Sequence, residues 1–154
     1  METKVLDTAE KYFKVATKEA AESSEVIGAT FGMFMRFHSS TAQEFLSSFS
    51  KGTFIVGLYL STFCKEDCED CVIKNQKSLK FIRMIQDKNP QHKWIESPSW
   101  HTKSICFKKK DGYTALIGSR NLGDSSWDDI AILVGGSYAK NIYNHTKKAI
   151  KERS

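Results

Sequence analysis

Apolar positions along this chain alternate between helical periodicity and short, nearly continuous runs. Val5, Leu6, Ala9, Tyr12, Phe13, Ala16 and Ala20 recur at helical spacing and predict a helix over about 4–21. Ser23-Ser24 breaks that pattern, and the aromatic-rich run from Val26 to Phe37 predicts a buried strand. Ser40-Thr41, with Glu44 near the capping-box position, predicts the start of a helix carrying Phe45, Leu46 and Phe49. Lys51-Gly52 ends it, and Phe54 to Leu60 predicts a second buried strand. Ile73, Leu79, Phe81, Ile82 and Ile85 mark a helix over about 72–87, which Asn89-Pro90 stops. A short strand at Lys93-Trp94-Ile95, a strand from Asp129 to Val134 and a helix over about 138–151 complete the series, with Gly135-Gly136 as a break. Strands alternating with helices predict an α/β fold in which a mixed sheet is sandwiched by helices. A chain of 154 residues without low-complexity segment, repeat or linker is one domain, 1–154.

Two further runs carry the chemistry. Lys103 to Lys109 reads K-S-I-C-F-K-K, with Ile105 and Phe107 on one face, and Tyr113 to Ile117 reads Y-T-A-L-I. They flank Lys110-Asp111-Gly112, and Asp-Gly is a strong hairpin signal. An antiparallel pair returns the chain to its starting point. His101 and Lys103, two residues apart, then share one face of the first strand, and Ser119 and Asn121 leave the end of its partner beside them. These are groups able to attack and hold a phosphodiester. An imidazole serves as nucleophile or proton donor near neutral pH. An ammonium, a hydroxyl and an amide donate to phosphate oxygens as charge builds on them.

At these residues the chain resembles the phospholipase D superfamily, whose signature is H-x-K, four residues, Asp, six residues, G-S-x-N. Asp111, six residues and Gly118-Ser119-Arg120-Asn121 keep the second half of that spacing. Seven residues separate Lys103 from Asp111, so the hairpin is expected to be longer by Lys108-Lys109-Lys110. The family has an acidic residue, commonly Glu, at the start of an apolar strand after G-S-x-N; Asp129 fits that place, with Asp128 as a substitute. The resemblance implies catalytic roles for His101, Lys103, Ser119, Asn121 and Asp129, and a phosphohistidine intermediate formed without a metal or other cofactor. Family chemistry uses two histidines, one to attack phosphorus and one to protonate the leaving oxygen. This chain carries one complete motif, so a homodimer sharing one site across a two-fold axis is expected. The element order also resembles that of the small single-motif nucleases of the family.

The net charge of +5 is unevenly spread. Residues 1–25 carry four lysines against six acids, whereas residues 101–121 carry five basic residues against Asp111. Residues 140–153 again carry five basic residues against one acid, Glu152. Such a field favours a polyanion, and nucleic acid first. Lys108, Lys109, Lys110 and Arg120 are the expected nucleic-acid contacts. No apolar run spans a membrane and no basic-then-apolar leader opens the chain, so a cytoplasmic location without stable membrane association is expected. A metal-independent nuclease acting on DNA or RNA is the leading expectation. A phospholipase or other small phosphodiester hydrolase, or a nucleic-acid-binding module of a larger restriction or repair assembly, are the alternatives.

Two other patterns compete for attention. Cys64, Cys68 and Cys71 have a spacing compatible with zinc or a cluster, with Cys106 and His92 as the nearby candidates for a fourth ligand. Reduced free thiols on an acidic loop are the other reading. His145-Thr146-Lys147 copies the first tripeptide, but only seven residues follow it, so no G-S-x-N can complete it. It reads as a solvated or phosphate-contacting helix face. His38 reads as a pocket-lining or packing residue.

Overall fold

The computed structural model describes residues 3–31, 39–57, 69, 73, 76, 80, 83–84, 86–97, 100, 102–119 and 129–154. Among them are seven strands in one sheet: β1 (Lys4–Leu6), β2 (Ser23–Phe31), β3 (Gly52–Gly57), β4 (Lys93–Ser97), β5 (Ser104–Lys109), β6 (Gly112–Gly118) and β7 (Ala131–Gly135). Helices α1 (Ala9–Ala21), α2 (Ser39–Ser47) and α3 (Gly136–Arg153) pack against it. The strand order is β1-β7-β6-β5-β2-β3-β4. β2, β3 and β4 run parallel to one another, and the remaining pairs are antiparallel. The sheet is therefore mixed, as the alternation of periods predicts. Residues 69, 73, 76, 80, 83, 84 and 86–88 are helical, in agreement with the helix expected over about 72–87.

The N-terminal segment departs from expectation. Residues 4–6 form a strand, not a first helical turn, and pair with β7 through Lys4↔Leu133, Val5↔Ile132 and Leu6↔Ala131. The helix starts later because Thr8 caps it: its side chain accepts from the Lys11 N–H at 3.2 Å. Asp7 pairs with Lys11 one turn on, at 2.7 Å. Ser23-Ser24 likewise does not interrupt the chain. Ser23 donates to the Glu19 carbonyl at the end of α1 and at once opens β2, where a register shift between Ser23 and Glu25 absorbs the irregularity. Ser40 and Thr41 lie inside α2, which begins at Ser39. Gly52 opens β3, and the ends of the strands expected to Phe37 and Leu60 fall outside the described residues.

Side-chain alternation divides the core into two layers. Phe54, Val56, Ile105, Phe107 and Leu116 point toward α1 and α2, where Phe13, Phe45 and Leu46 meet them. Ile27, Cys106 and Ala115 point the other way and pack under Ala139 and Tyr143 of α3. Ala29, Ile55 and Trp100 extend that second layer to Ala149. Phe45, Phe54, Phe107, Ile27 and Leu116 are fully buried, and burying each such side chain is worth about 2 kcal/mol. Among the described residues, no helix is long and apolar enough to cross a membrane.

Candidate active site

The ladder from Ser104↔Ile117 to Lys109↔Gly112 is uninterrupted, so the extra length after Lys103 is taken up as hairpin. Lys110 and Asp111 form the turn with negative φ, and Gly112, at φ +139°, takes the reversal that side chains resist. The turn is thus not the type that an Asp-Gly centre would favour; the glycine sits one place later, at the first strand position. Lys108–Lys110 consequently lie at the far end of the hairpin from Lys103.

At the near end three strand termini meet. Lys103 precedes β5, Gly118 ends β6 opposite Ala131, and Asp129 leads into β7. Lys103 and Asp129 are half-buried, and Ser119 is exposed. The Ser119 N–H donates to the Ile130 carbonyl at 3.0 Å, and its hydroxyl accepts from the Ile130 N–H at 3.2 Å. Those two bonds hold the start of G-S-x-N beside the residue that follows Asp129. Gly118 is what permits the approach. A Cβ there would lie 2.2 Å from the Ile130 carbonyl oxygen and 2.7 Å from the Ala131 Cα. Lys103, Ser119 and Asp129 are therefore brought together. His101, Arg120 and Asn121 lie outside the described residues, as do Asp128, His38 and Cys64, Cys68 and Cys71.

The immediate neighbours of His101 are anchored. The buried Trp100 indole N–H donates to the Thr102 carbonyl at 3.0 Å. Its ring lies between two residues of α3, His145 at 6.1 Å between centroids and the Arg153 guanidinium at 4.9 Å. Arg153 is itself held by the Ser97 hydroxyl and the Ala149 carbonyl. Trp100 directly precedes the H-x-K tripeptide, and that place is the one signal in the chain for its anchoring role.

The second tripeptide, His145-Thr146-Lys147, does not form one face. Thr146 is buried and donates to the Ile142 carbonyl, correcting its reading as part of a solvated surface. Lys147 pairs with Glu25 at 2.5 Å. Burial alone would raise the Glu25 pKa, but the hydrogen bonds from Lys147 and Tyr143 overcome it and hold the carboxyl below its ordinary value. His145 is exposed and lines a cleft of about 610 Å³ together with Thr102, Lys103 and Gly118.

Several cationic groups are already engaged. Lys109 reaches Glu19 at 2.5 Å and Glu22 at 3.0 Å on α1. Burial opposes its charge, yet these two carboxylates prevail and raise its pKa. Lys108 and Lys110 are exposed. The two candidates for a fourth metal ligand are on opposite faces of the sheet. Cys106 is buried under α3, its thiol pushed up to about 12 chiefly by desolvation. His92 bonds the Leu46 carbonyl at 2.6 Å between Phe49 and Phe54, and burial lowers its pKa. It is a core histidine.

The sequence matches no protein-family model and no curated protein. Solved structures do match. Nuc from Salmonella typhimurium, described as a phospholipase D family member, superposes with a TM-score of 0.62 at 9% identity, over 96% of this chain and 92% of that one. NucT from Helicobacter pylori gives 0.59 at 11% identity, over 97% and 96%. TrmBL2, an archaeal chromatin protein described with a novel mode of DNA binding, gives 0.54 at 7% identity, over 99% of this chain and 53% of its own. Over nearly its whole length, this chain has the fold of the phospholipase D family.

Proposed function

We propose that the protein is a metal-independent phosphodiesterase, a nuclease that cleaves DNA or RNA through a phosphohistidine on His101. The observation that carries this reading is the convergence of Lys103, Ser119 and Asp129 from three adjacent strand ends. Lys103, Ser119 and Asn121 donate to the non-bridging oxygens of the phosphate, and Asp129 orients the imidazole and favours its protonated form. Attack by one His101 forms the phosphorus–nitrogen bond while the leaving oxygen takes a proton from the second His101. That second histidine comes from a symmetry-related subunit and then activates water to release the phosphate. Ile130, 52% exposed between Asp129 and β7, sets an apolar side chain on the rim that a second subunit would cover.

Incubation with single- and double-stranded DNA and RNA in EDTA, read on a gel, tests the proposal. Cleavage that survives EDTA and disappears in His101→Ala is expected. Activity lost in EDTA and restored by magnesium would overturn it. Lys103→Ala and Asn121→Ala should impair turnover severely without their losses adding, because the groups act as a unit. A binding module without turnover is the second reading, favoured by the likeness to the chromatin protein; retention of oligonucleotides with no cleavage in any condition would select it.

A further inference from the structure

We propose that the side of α3 turned toward the hairpin tip is a docking surface for the phosphate backbone of nucleic acid, formed by Lys140, Lys147 and Lys151 together with Lys108 of β5. It lies on the opposite face of the sheet from Lys103, so it holds strand beyond the cleavage position and not the phosphate that reacts. The inference goes beyond the nuclease reading and stands whether or not the bound strand is cut.

Residues seven and eleven positions apart return to one side of a helix, so Lys140, Lys147 and Lys151 form a single row about 16 Å long on α3. All three are exposed, and Lys140 and Lys151 have no ion pair among the described residues. Alternation along β5 puts Lys103 on the side of Ile105 and Phe107, under α1 and α2. The same alternation puts Lys108 on the side of Cys106, under α3. Lys108 pairs across the hairpin with Tyr113, whose ring centroid lies 4.9 Å from that of Tyr143. Tyr143 and Lys147 both donate to Glu25 on β2. The middle of the row therefore meets the far end of the hairpin.

Helix stability does not account for the row. A solvated helix is served by charges of mixed sign, as on α1, where Glu10 and Glu19 stand among Lys11, Lys14 and Lys18. On α3 the only acid is Glu152. The helix dipole explains Lys151 in the last turn but gives nothing to Lys140 near the other end, where acids are favoured. A line of like charges attracts a polyanion. An interfacial membrane helix would need its apolar side for the lipid, and α3 has already packed Ala139, Tyr143 and Ala149 against the sheet. Nucleic acid asks only for the charges, and the row matches the axial span of about five phosphates along one duplex strand. Lys103 and Lys108 are five positions apart, about 17 Å along the strand direction, so only a substrate continuing that far past the cleaved phosphate reaches the row.

The test is fluorescence anisotropy across a salt series, with a labelled single strand and its duplex, in a His101→Ala background so that the strand survives the titration. Combining Lys108→Gln, Lys140→Gln and Lys151→Gln should make the plot of log Kd against log salt shallower by about two to three units on at least one of the two forms. Lys147 is left in place because it pairs with Glu25. Combining Lys11→Gln, Lys14→Gln and Lys18→Gln removes the same charge from α1 and should leave the slope within about one unit of the parent protein. Equal changes in the two triple variants would show a general field and overturn the proposal, as would an unchanged slope in the α3 variant. Binding to phosphatidylserine vesicles that the α3 variant loses, with its oligonucleotide slopes unchanged, would assign the row to a membrane and overturn it too. Failure of the nuclease reading is seen separately: a protein with the wild-type His101 that binds these strands but never cuts them leaves the docking surface standing.

Discussion

Gly118→Ala is the substitution that most directly probes how the fold builds the site. The new Cβ would lie 2.2 Å from the Ile130 carbonyl oxygen. Ordinary van der Waals contact requires the β7 entry to retreat by about 1 Å. Gly118 also has φ +157°, and a side chain in such a conformation costs about 1–3 kcal/mol. Overpacking adds about 1–3 kcal/mol more. A total near 4 kcal/mol corresponds to a fall in Tm of about 10 °C for a chain of this size. Asp129 immediately precedes the displaced residue, so turnover should fall about a hundredfold, the typical cost of a 1 Å misplacement. Gly112→Ala is the matched control. It is strained at φ +139° but has nothing within 4 Å of its Cβ, and it sits at the opposite end of the hairpin. Strain alone should lower its Tm by about 5 °C and leave turnover intact. Thermal unfolding by circular dichroism and initial rates on one oligonucleotide supply both readouts. Equal Tm values for the two variants, or full turnover in Gly118→Ala, would refute the argument that the glycine exists for this close approach.

Mixing wild-type and His101→Ala chains under confirmed subunit exchange should lower activity faster than the wild-type fraction falls; a linear fall, or an active monomer by light scattering, would rule out the shared site. Oligonucleotide affinity should weaken steeply with salt, and replacing both Lys108 and Lys110 by Gln should flatten that slope by about two phosphate contacts at most; a slope that does not change removes the hairpin tip from the interface. Lys109→Gln should act differently, lowering Tm because it strips the buried Glu19 of its cation. A Tm equal to wild type would show that the Thr114 hydroxyl, which also donates to Glu19, suffices.

Much of this organisation is legible in the chain itself, because strand and helix periods differ and the core follows them. Ile105 and Phe107 mark one face of β5, and the opposite face, Cys106, is the one that α3 covers. The failures have local causes. Val5 and Leu6 fit the helical spacing of α1, but the cap at Thr8 decides where that helix begins and frees the two residues to pair with β7. The lysines of the hairpin look like one basic patch, yet Lys109 is turned toward acids of α1 that are distant in sequence. His145-Thr146-Lys147 reads as one solvated or phosphate-contacting face, yet Thr146 between the two is buried. Periodicity tells which residues share a helix face but not which distant strands that face meets, and it is the crossing of α3 over β6 and β2 that buries Thr146 and brings Lys147 to Glu25.

The sharing of the site residues among β5, β6 and β7 has a kinetic consequence. Those strands are consecutive and antiparallel, so the pairings that assemble Lys103, Ser119 and Asp129 join neighbours along the chain. The parallel pairings of β2 with β3 and of β3 with β4 each require the chain to cross over before any contact forms. Low contact order favours early formation, and non-local parallel pairing is slow. The half of the sheet that carries Lys103, Ser119 and Asp129 is thus the half able to form first, with the long crossovers settling afterwards onto its open edge.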